Sequence, residues 1–300
     1  MSVIRLAPEI ADALAQGRPV VALESTVFSR LGLPPPHNEQ ALQRCLEAVH
    51  RGGAVPAVTA VLDGAARVGL AEEDYPRVLG SATKVAERDL PVAVAAGTAG
   101  VTTVSAAVAL AARAGIAVFA TGGIGGVHRG AERTGDVSSD LAALARHPVA
   151  VVSAGAKGFL DLPRTLEHLE ALGVPVIGYG TDDFPAFWCR TSGLRAPHRR
   201  NDPAGVAAVV RAAGELGATA GLLVAVPCPE EAALPRELVE PAIEAALEAA
   251  QREGVTGGAV TPFVLERLAA ATGGRTLRAN LALVERNAEV AAAIAAALAG

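Results

Sequence analysis

Short β-branched, apolar runs alternate with alanine-rich stretches along most of this chain, and that rhythm limits its fold more than any other feature. The runs fall at residues 20–23, 57–62, 92–96, 116–120, 149–153, 174–179 and 221–226. Helical stretches separate them at 39–50, 101–113, 140–146, 162–172, 203–216 and 238–251. The runs do not alternate polar with apolar residues, so each is expected to be covered on both faces. Strands and helices in this order build a parallel sheet with helices on either side. From Pro262 onward the pattern is helical, at 263–271 and 277–298. No Pro/Ser linker, charge block or internal repeat divides the sequence. The expectation is one α/β domain over residues 1–300, with a mainly parallel sheet and a helical C-terminal section.

Composition excludes several function classes. The chain is 51% hydrophobic over 300 residues, enough for a large core without disulfide or metal staples. A net charge of −5, 3% aromatics and no basic run argue against a surface for a nucleic acid polymer. Cys45, Cys189 and Cys228 are odd in number and form no CxxC, which points to a reduced, cytoplasmic protein without a thiolate zinc site. Residues 92–112 carry no charge, but they are Ala, Gly, Thr and Val with a single Leu and a single Ser, a poor membrane span. Glu9 and Asp12 lie in a helical pattern where a signal peptide would need an apolar block.

Four segments hold candidate chemistry. Lys157 closes the run at 149–157 in a glycine turn, at the strand end where open α/β sheets build active sites. An amine held among small apolar residues loses hydration, which favours the neutral form that attacks a carbonyl carbon. A solvated loop lysine, or one that only pairs with a phosphate, fits the same segment. Glu24 ends the run at 20–23 and would reach the same sheet edge, as a general acid or base or as a turn-capping carboxylate. The glycine segment from Thr121 to Gly130 follows a strand; its backbone N–H groups, with His128 or Arg129, suit a phosphate. It lacks the dinucleotide fingerprint. In the segment 136–141, Ser138 or Ser139 reads as a helix N-cap, and Asp136 is one carboxylate able to hold Mg²⁺ or Mn²⁺ through added waters. Lys84 and Lys157 are the only lysines, against 24 arginines. A retained lysine points to a task that arginine cannot perform.

Taken in order, these segments resemble the pseudouridine-5′-phosphate glycosidase family, also called indigoidine synthase A-like. The stretches that carry the resemblance are 21–26, 53–57, 84–90, 119–132, 136–141, 154–157, 178–187, 261–263 and 279–280, and TGGIGGVHRGAE followed by DVSSDL is the most specific. The resemblance implies a three-layer α/β/α sandwich, a homotrimer and one Mn²⁺ per subunit. It implies reversible cleavage of the C–C glycosidic bond of pseudouridine 5′-phosphate, giving uracil and ribose 5-phosphate. Under it, Lys157 is the nucleophile, Glu24 the proton donor and Asp136 the metal ligand. Substrate contacts fall on Lys84, Val104, Ser138, Ser139 and Asp140, with His128 and Asn280 also at the active site. Two competing readings are a Schiff-base lyase or aldolase on another pentose phosphate, and a non-catalytic phosphosugar-binding protein.

Overall fold

A long, twisted sheet divides the molecule, and the chain crosses it repeatedly. The computed structural model describes residues 3–300. The strands are β1 (Ile4–Leu6), β2 (Val20–Leu23), β3 (Val55–Leu62), β4 (Ala65–Val68), β5 (Lys84–Val85), β6 (Gly100–Thr102), β7 (Val118–Ala120), β8 (Ala150–Ser153), β9 (Val176–Tyr179), β10 (His198–Arg200) and β11 (Leu222–Ala225). The helices are α1 (Pro8–Ala15), α2 (His37–Arg51), α3 (Tyr75–Leu79), α4 (Leu90–Ala95), α5 (Val104–Ala114), α6 (Ala131–Thr134), α7 (Ser139–Arg146), α8 (Leu162–Ala171), α9 (Pro203–Glu215), α10 (Arg236–Arg252), α11 (Val260–Ala271) and α12 (Arg275–Ala299).

The order β3-β2-β7-β8-β11-β9-β10 is parallel throughout. β3 outruns its neighbour: residues 55–58 pair with β2, while residues 59–62 turn to an antiparallel partner, β4, and also meet β6. β2, β7, β8 and β11 are buried along their whole length, which explains their unbroken apolar runs. α2, α9 and α12 pack together on one face, and α5, α7 and α8 lie on the other. Phe28, Phe119, Phe159 and Phe184 are wholly buried between the layers. Each contributes roughly 1.5–3 kcal/mol by leaving water.

The mainly parallel sheet, the helices on both faces and the helical C-terminal section agree with the expectation. The run at 92–96 does not form a strand. Pro91 stands in the first turn of α4, where its missing N–H costs nothing, and burial falls on Leu90 and Ala93 while Val92 is 69% exposed. That spacing is helical, and the strand lies further on, at β6. The short strands β1, β4, β5 and β10 are not distinguished in the sequence, because two to four residues leave no period to read.

β2 leads out to β3 on one side, and the chain later returns to β7 on the other side of β2. Open α/β sheets open their ligand crevice at such a reversal, beyond the carboxyl ends of the strands. Here those ends carry Glu24, Thr121 and, past β8, Lys157.

Candidate active site

Glu24 follows the last residue of β2, and Leu23 is in register with Ala120 of β7, so the next residues on each strand, Glu24 and Thr121, stand side by side. The Thr121 hydroxyl donates to Glu24 Oε1. A buried set of hydroxyls holds this strand end in place. Thr59 Oγ1 donates to the Leu23 carbonyl at 3.1 Å and meets Thr102 Oγ1 at 2.7 Å; Ser25 Oγ accepts from the Thr102 N–H at 2.9 Å. Burial raises the Glu24 pKa to about 7, against the pull of the Lys157 charge and the Thr121 hydrogen bond in the other direction.

Lys157 lies just past β8, beyond a left-handed turn at Gly155 (φ 78°). A Cβ at Gly155 would come within 2.7 Å of the Pro185 carbonyl, so only glycine fits. The Lys157 N–H donates to the Ile124 carbonyl at 3.1 Å, and Ile124 bridges to Ala156, which ties the lysine to the glycine segment.

The glycine segment gains its order from Asp140. One carboxylate oxygen accepts from the Gly125 N–H at 2.8 Å and the other from the Ser105 N–H, in the first turn of α5, at 3.0 Å. A Cβ on Gly125 would fall on the Ser138 and Asp140 side chains, so glycine is what lets them close on the segment's backbone. Ser138 caps α7, its Oγ accepting from the Asp140 N–H at 3.2 Å, and Ser139 Oγ donates to Ser105 Oγ at 3.2 Å. Asp140 thus joins the glycine segment to the start of α5. The opening residue of that helix, Val104, keeps an N–H without an intrahelical partner, which suits an anion.

His128 and Asp136 face each other, His128 Nδ1 lying 3.9 Å from Asp136 Oδ2, and the His128 N–H donates to the Asp136 carbonyl at 3.0 Å. Burial depresses the His128 pKa and the two lysine charges add to this, while Asp136 opposes it. Lys84, on β5, keeps contact with solvent through the cavity. Partial desolvation and then the charge of Lys157 pull its pKa down, against Asp140, Glu24 and Asp136.

Lys157, Glu24, Lys84, Val104, Ser138, Ser139, Asp140, His128, Asn280 and Asp136 all line one cavity of about 540 Å³. The two lysines of the chain therefore meet at a single site. Arg129 does not join them. It turns away to pair with Glu240 of α10 at 2.8 Å, in a separate cavity of about 350 Å³. Thr121, Val284 and Phe187 line the main cavity without having been singled out in the sequence. Thr121 was findable as the residue that opens the glycine segment after a strand. Phe187, held at φ 61°, carries no such signal.

Asp136 lines the cavity, and among the described residues no three His, Cys, Asp or Glu side chains gather into a cage. One hard oxygen donor of this kind fits a divalent ion that keeps most of its waters.

The chain is similar to proteins of known name along nearly its full length. A pseudouridine-5′-phosphate glycosidase from Methylobacterium nodulans is 53% identical over 98% of this chain and 88% of its own. One from Myxococcus xanthus is 52% identical over 99% and 98%. Among solved structures, a prealnumycin C-glycosynthase in complex with ribulose 5-phosphate superposes with a TM-score of 0.92 at 38% identity, covering 100% of this chain and 98% of that one. The model of the indigoidine synthase A like proteins matches residues 9–297, and the chain belongs to that family.

Proposed function

We propose that this protein reversibly cleaves the C–C glycosidic bond of pseudouridine 5′-phosphate, releasing uracil and ribose 5-phosphate. The observation that carries the reading is the meeting, in one cavity, of Lys157, Lys84 and a Glu24 whose pKa burial raises to about 7. The full-length similarity to glycosidases of that name supports the choice of substrate.

A C-glycoside has no leaving heteroatom for an acid to protonate, so a pair of carboxylates is not enough. Neutral Lys157 Nζ attacks C1′ and displaces the ring oxygen O4′, which takes the proton of Glu24. Glu24, now ionised, recovers a proton from the new ammonium. The nitrogen lone pair then expels the uracil carbon, which takes up that proton and leaves the sugar as an iminium on Lys157. Addition of water to the iminium releases ribose 5-phosphate and the neutral amine, and the proton set free returns to Glu24. Lys84, the Val104 N–H and the hydroxyls of Ser138 and Ser139 would hold the phosphate, while Asp140 keeps the glycine segment against α5. Asp136 would hold one Mn²⁺ per subunit, with water as its other ligands, and the ion would supply positive charge near the substrate oxygens.

A second reading follows from the solved relative with ribulose 5-phosphate: the same lysine chemistry with another phosphorylated pentose or aglycone. The family resemblance further supports a homotrimer of 30.2 kDa subunits, and the three free cysteines support a reduced, cytoplasmic setting; no helix among the described residues is long and apolar enough to cross a membrane. The deciding assay follows uracil in the ultraviolet, during its release from pseudouridine 5′-phosphate and its exchange with ribose 5-phosphate, with Mn²⁺, for wild type and Lys157→Ala. Turnover by wild type alone supports both reaction and nucleophile. Turnover by neither moves the assignment to another phosphosugar.

A further inference from the structure

The lining of the cavity is of two kinds. Lys84, Val104 and Ser139 bring charge and donors, whereas Phe187 and Val284, which both lie against Gly122, make an apolar end with Asn280 one turn away from Val284 on α12. The Phe187 ring packs against the backbone of Gly123, where a Cβ would come within 2.7 Å of it, and meets the Trp188 ring edge-on at 4.8 Å. Phe187 holds φ 61°, a conformation that costs a non-glycine residue and persists only where the surroundings impose it.

Trp188, the single tryptophan of the chain, is wholly buried behind this wall. Its indole N–H donates to Asn280 Oδ1 at 2.8 Å. An indole nitrogen can only donate, so the Asn280 oxygen must face Trp188 and the amide NH₂ must turn the other way. Asn280 is 6% exposed and lines the cavity, and among the described residues nothing accepts a hydrogen bond from that NH₂. That NH₂ is reached by solvent through the cavity, so it stands there as a free donor on which a ligand acceptor can replace water.

We infer that Trp188 is a positioning residue that fixes the polarity of the Asn280 amide, so that the apolar end of the cavity presents one hydrogen-bond donor to a ring carbonyl of the departing heterocycle. This rests on the proposed function, since uracil is the carbonyl-bearing ring in that reaction. Without Trp188 the amide is free to rotate and offer its oxygen, which repels the same carbonyl. The device selects the heterocycle and leaves the sugar phosphate untouched.

The test runs the reaction towards synthesis and measures KM for uracil and for ribose 5-phosphate separately, in wild type, Trp188→Phe, Asn280→Ala and the double variant. Trp188→Phe is expected to raise the KM for uracil about tenfold, the worth of one hydrogen bond, with the KM for ribose 5-phosphate unchanged. Added to Asn280→Ala, it should raise the uracil KM no further. An unchanged uracil KM in a folded Trp188→Phe protein, or additive effects in the double variant, overturns the inference. If Trp188→Phe does not fold, Asn280→Asp substitutes for it: it keeps the acceptor for the indole, loses the donor, and must weaken uracil alone. No turnover by wild type sinks the functional reading and with it the choice of uracil as the ring, and leaves only the fixing of Asn280 by Trp188 to be tested. The solitary indole N–H resonance then decides, shifting and losing exchange protection in Asn280→Ala if the contact exists, and staying put if it does not.

Discussion

Thr121 donates its hydroxyl hydrogen bond to the Glu24 carboxyl across the β2–β7 pair, at the point where the strand order reverses. The bond fixes which way the carboxyl faces and favours its ionised form. Burial works against that and wins, so Glu24 titrates at about 7. The charges that act on it are those of Lys157, Asp140 and Lys84.

If Glu24 gives up a proton to O4′, kcat/KM for cleavage falls as pH rises through about 7. Thr121→Val keeps the shape and removes a bond that lowers the Glu24 pKa, so the descending limb should move to higher pH. A pH series of initial rates for the two proteins checks this; a limb that stays in place separates Glu24 from the proton transfer or Thr121 from Glu24.

The same carboxyl links stability to pH. The folded pKa of about 7 lies above the ordinary 4.5, so the stabilisation is complete below 4.5 and is lost as pH rises to about 7. The loss is on the order of 3 kcal/mol for a shift of this size. Glu24→Gln stays neutral throughout. Its melting temperature should exceed that of wild type at pH 8 and match it near pH 4.5, and equal melting points at pH 8 would remove the burial argument.

Asp140 is expected to matter first for structure. Both carboxylate oxygens accept buried backbone N–H groups, from Gly125 and Ser105. Asp140→Asn turns an NH₂ towards one of them and leaves it unmet, which should cost about 2–3 kcal/mol. Urea unfolding measures the loss. A midpoint unchanged from wild type would mean that the glycine segment is held by other contacts.

How much of this was legible in the sequence depends on segment length and on what a residue touches. β2, β7, β8 and β11 carry unbroken apolar runs because both faces are buried, and Glu24 and Lys157 were found by standing at their ends. α4 was misread because Val92 and Val94 look like a strand, although Pro91 marks a helix start. Asp140 was legible as a first-turn residue, but its grip on Gly125 and Ser105 spans 15 and 35 positions and has no local signature. Phe187, Trp188 and Asn280 meet across 92 residues for the same reason. Arg129 shows the opposite failure: its neighbour His128 enters the cavity and it does not, since adjacent residues in a loop can face opposite ways.

Asp136 lines the cavity beside His128. Asp136→Ala should abolish the dependence of the rate on added Mn²⁺ and most of the activity with it. Paramagnetic resonance of Mn²⁺ bound to each protein gives a reading independent of turnover. A variant that binds Mn²⁺ as wild type does would take Asp136 out of the metal site.

The two lysines separate charge from chemistry. Both line the cavity, yet Lys157 follows the buried strand β8, next to β7, while Lys84 lies on β5 next to the start of α5. Arginine keeps the charge of either but does not form an imine. Lys84→Arg is therefore expected to raise KM several-fold and keep turnover, because a guanidinium still pairs with phosphate. Lys157→Arg should lower kcat by more than about 10³-fold, as the loss of a nucleophile does. Borohydride with ribose 5-phosphate should add the reduced sugar's mass to wild type and to Lys84→Arg, and nothing to Lys157→Arg. Trapping in Lys157→Arg, or its loss in Lys84→Arg alone, would move the nucleophile to Lys84, whose amine is the one that burial and the Lys157 charge pull towards neutrality.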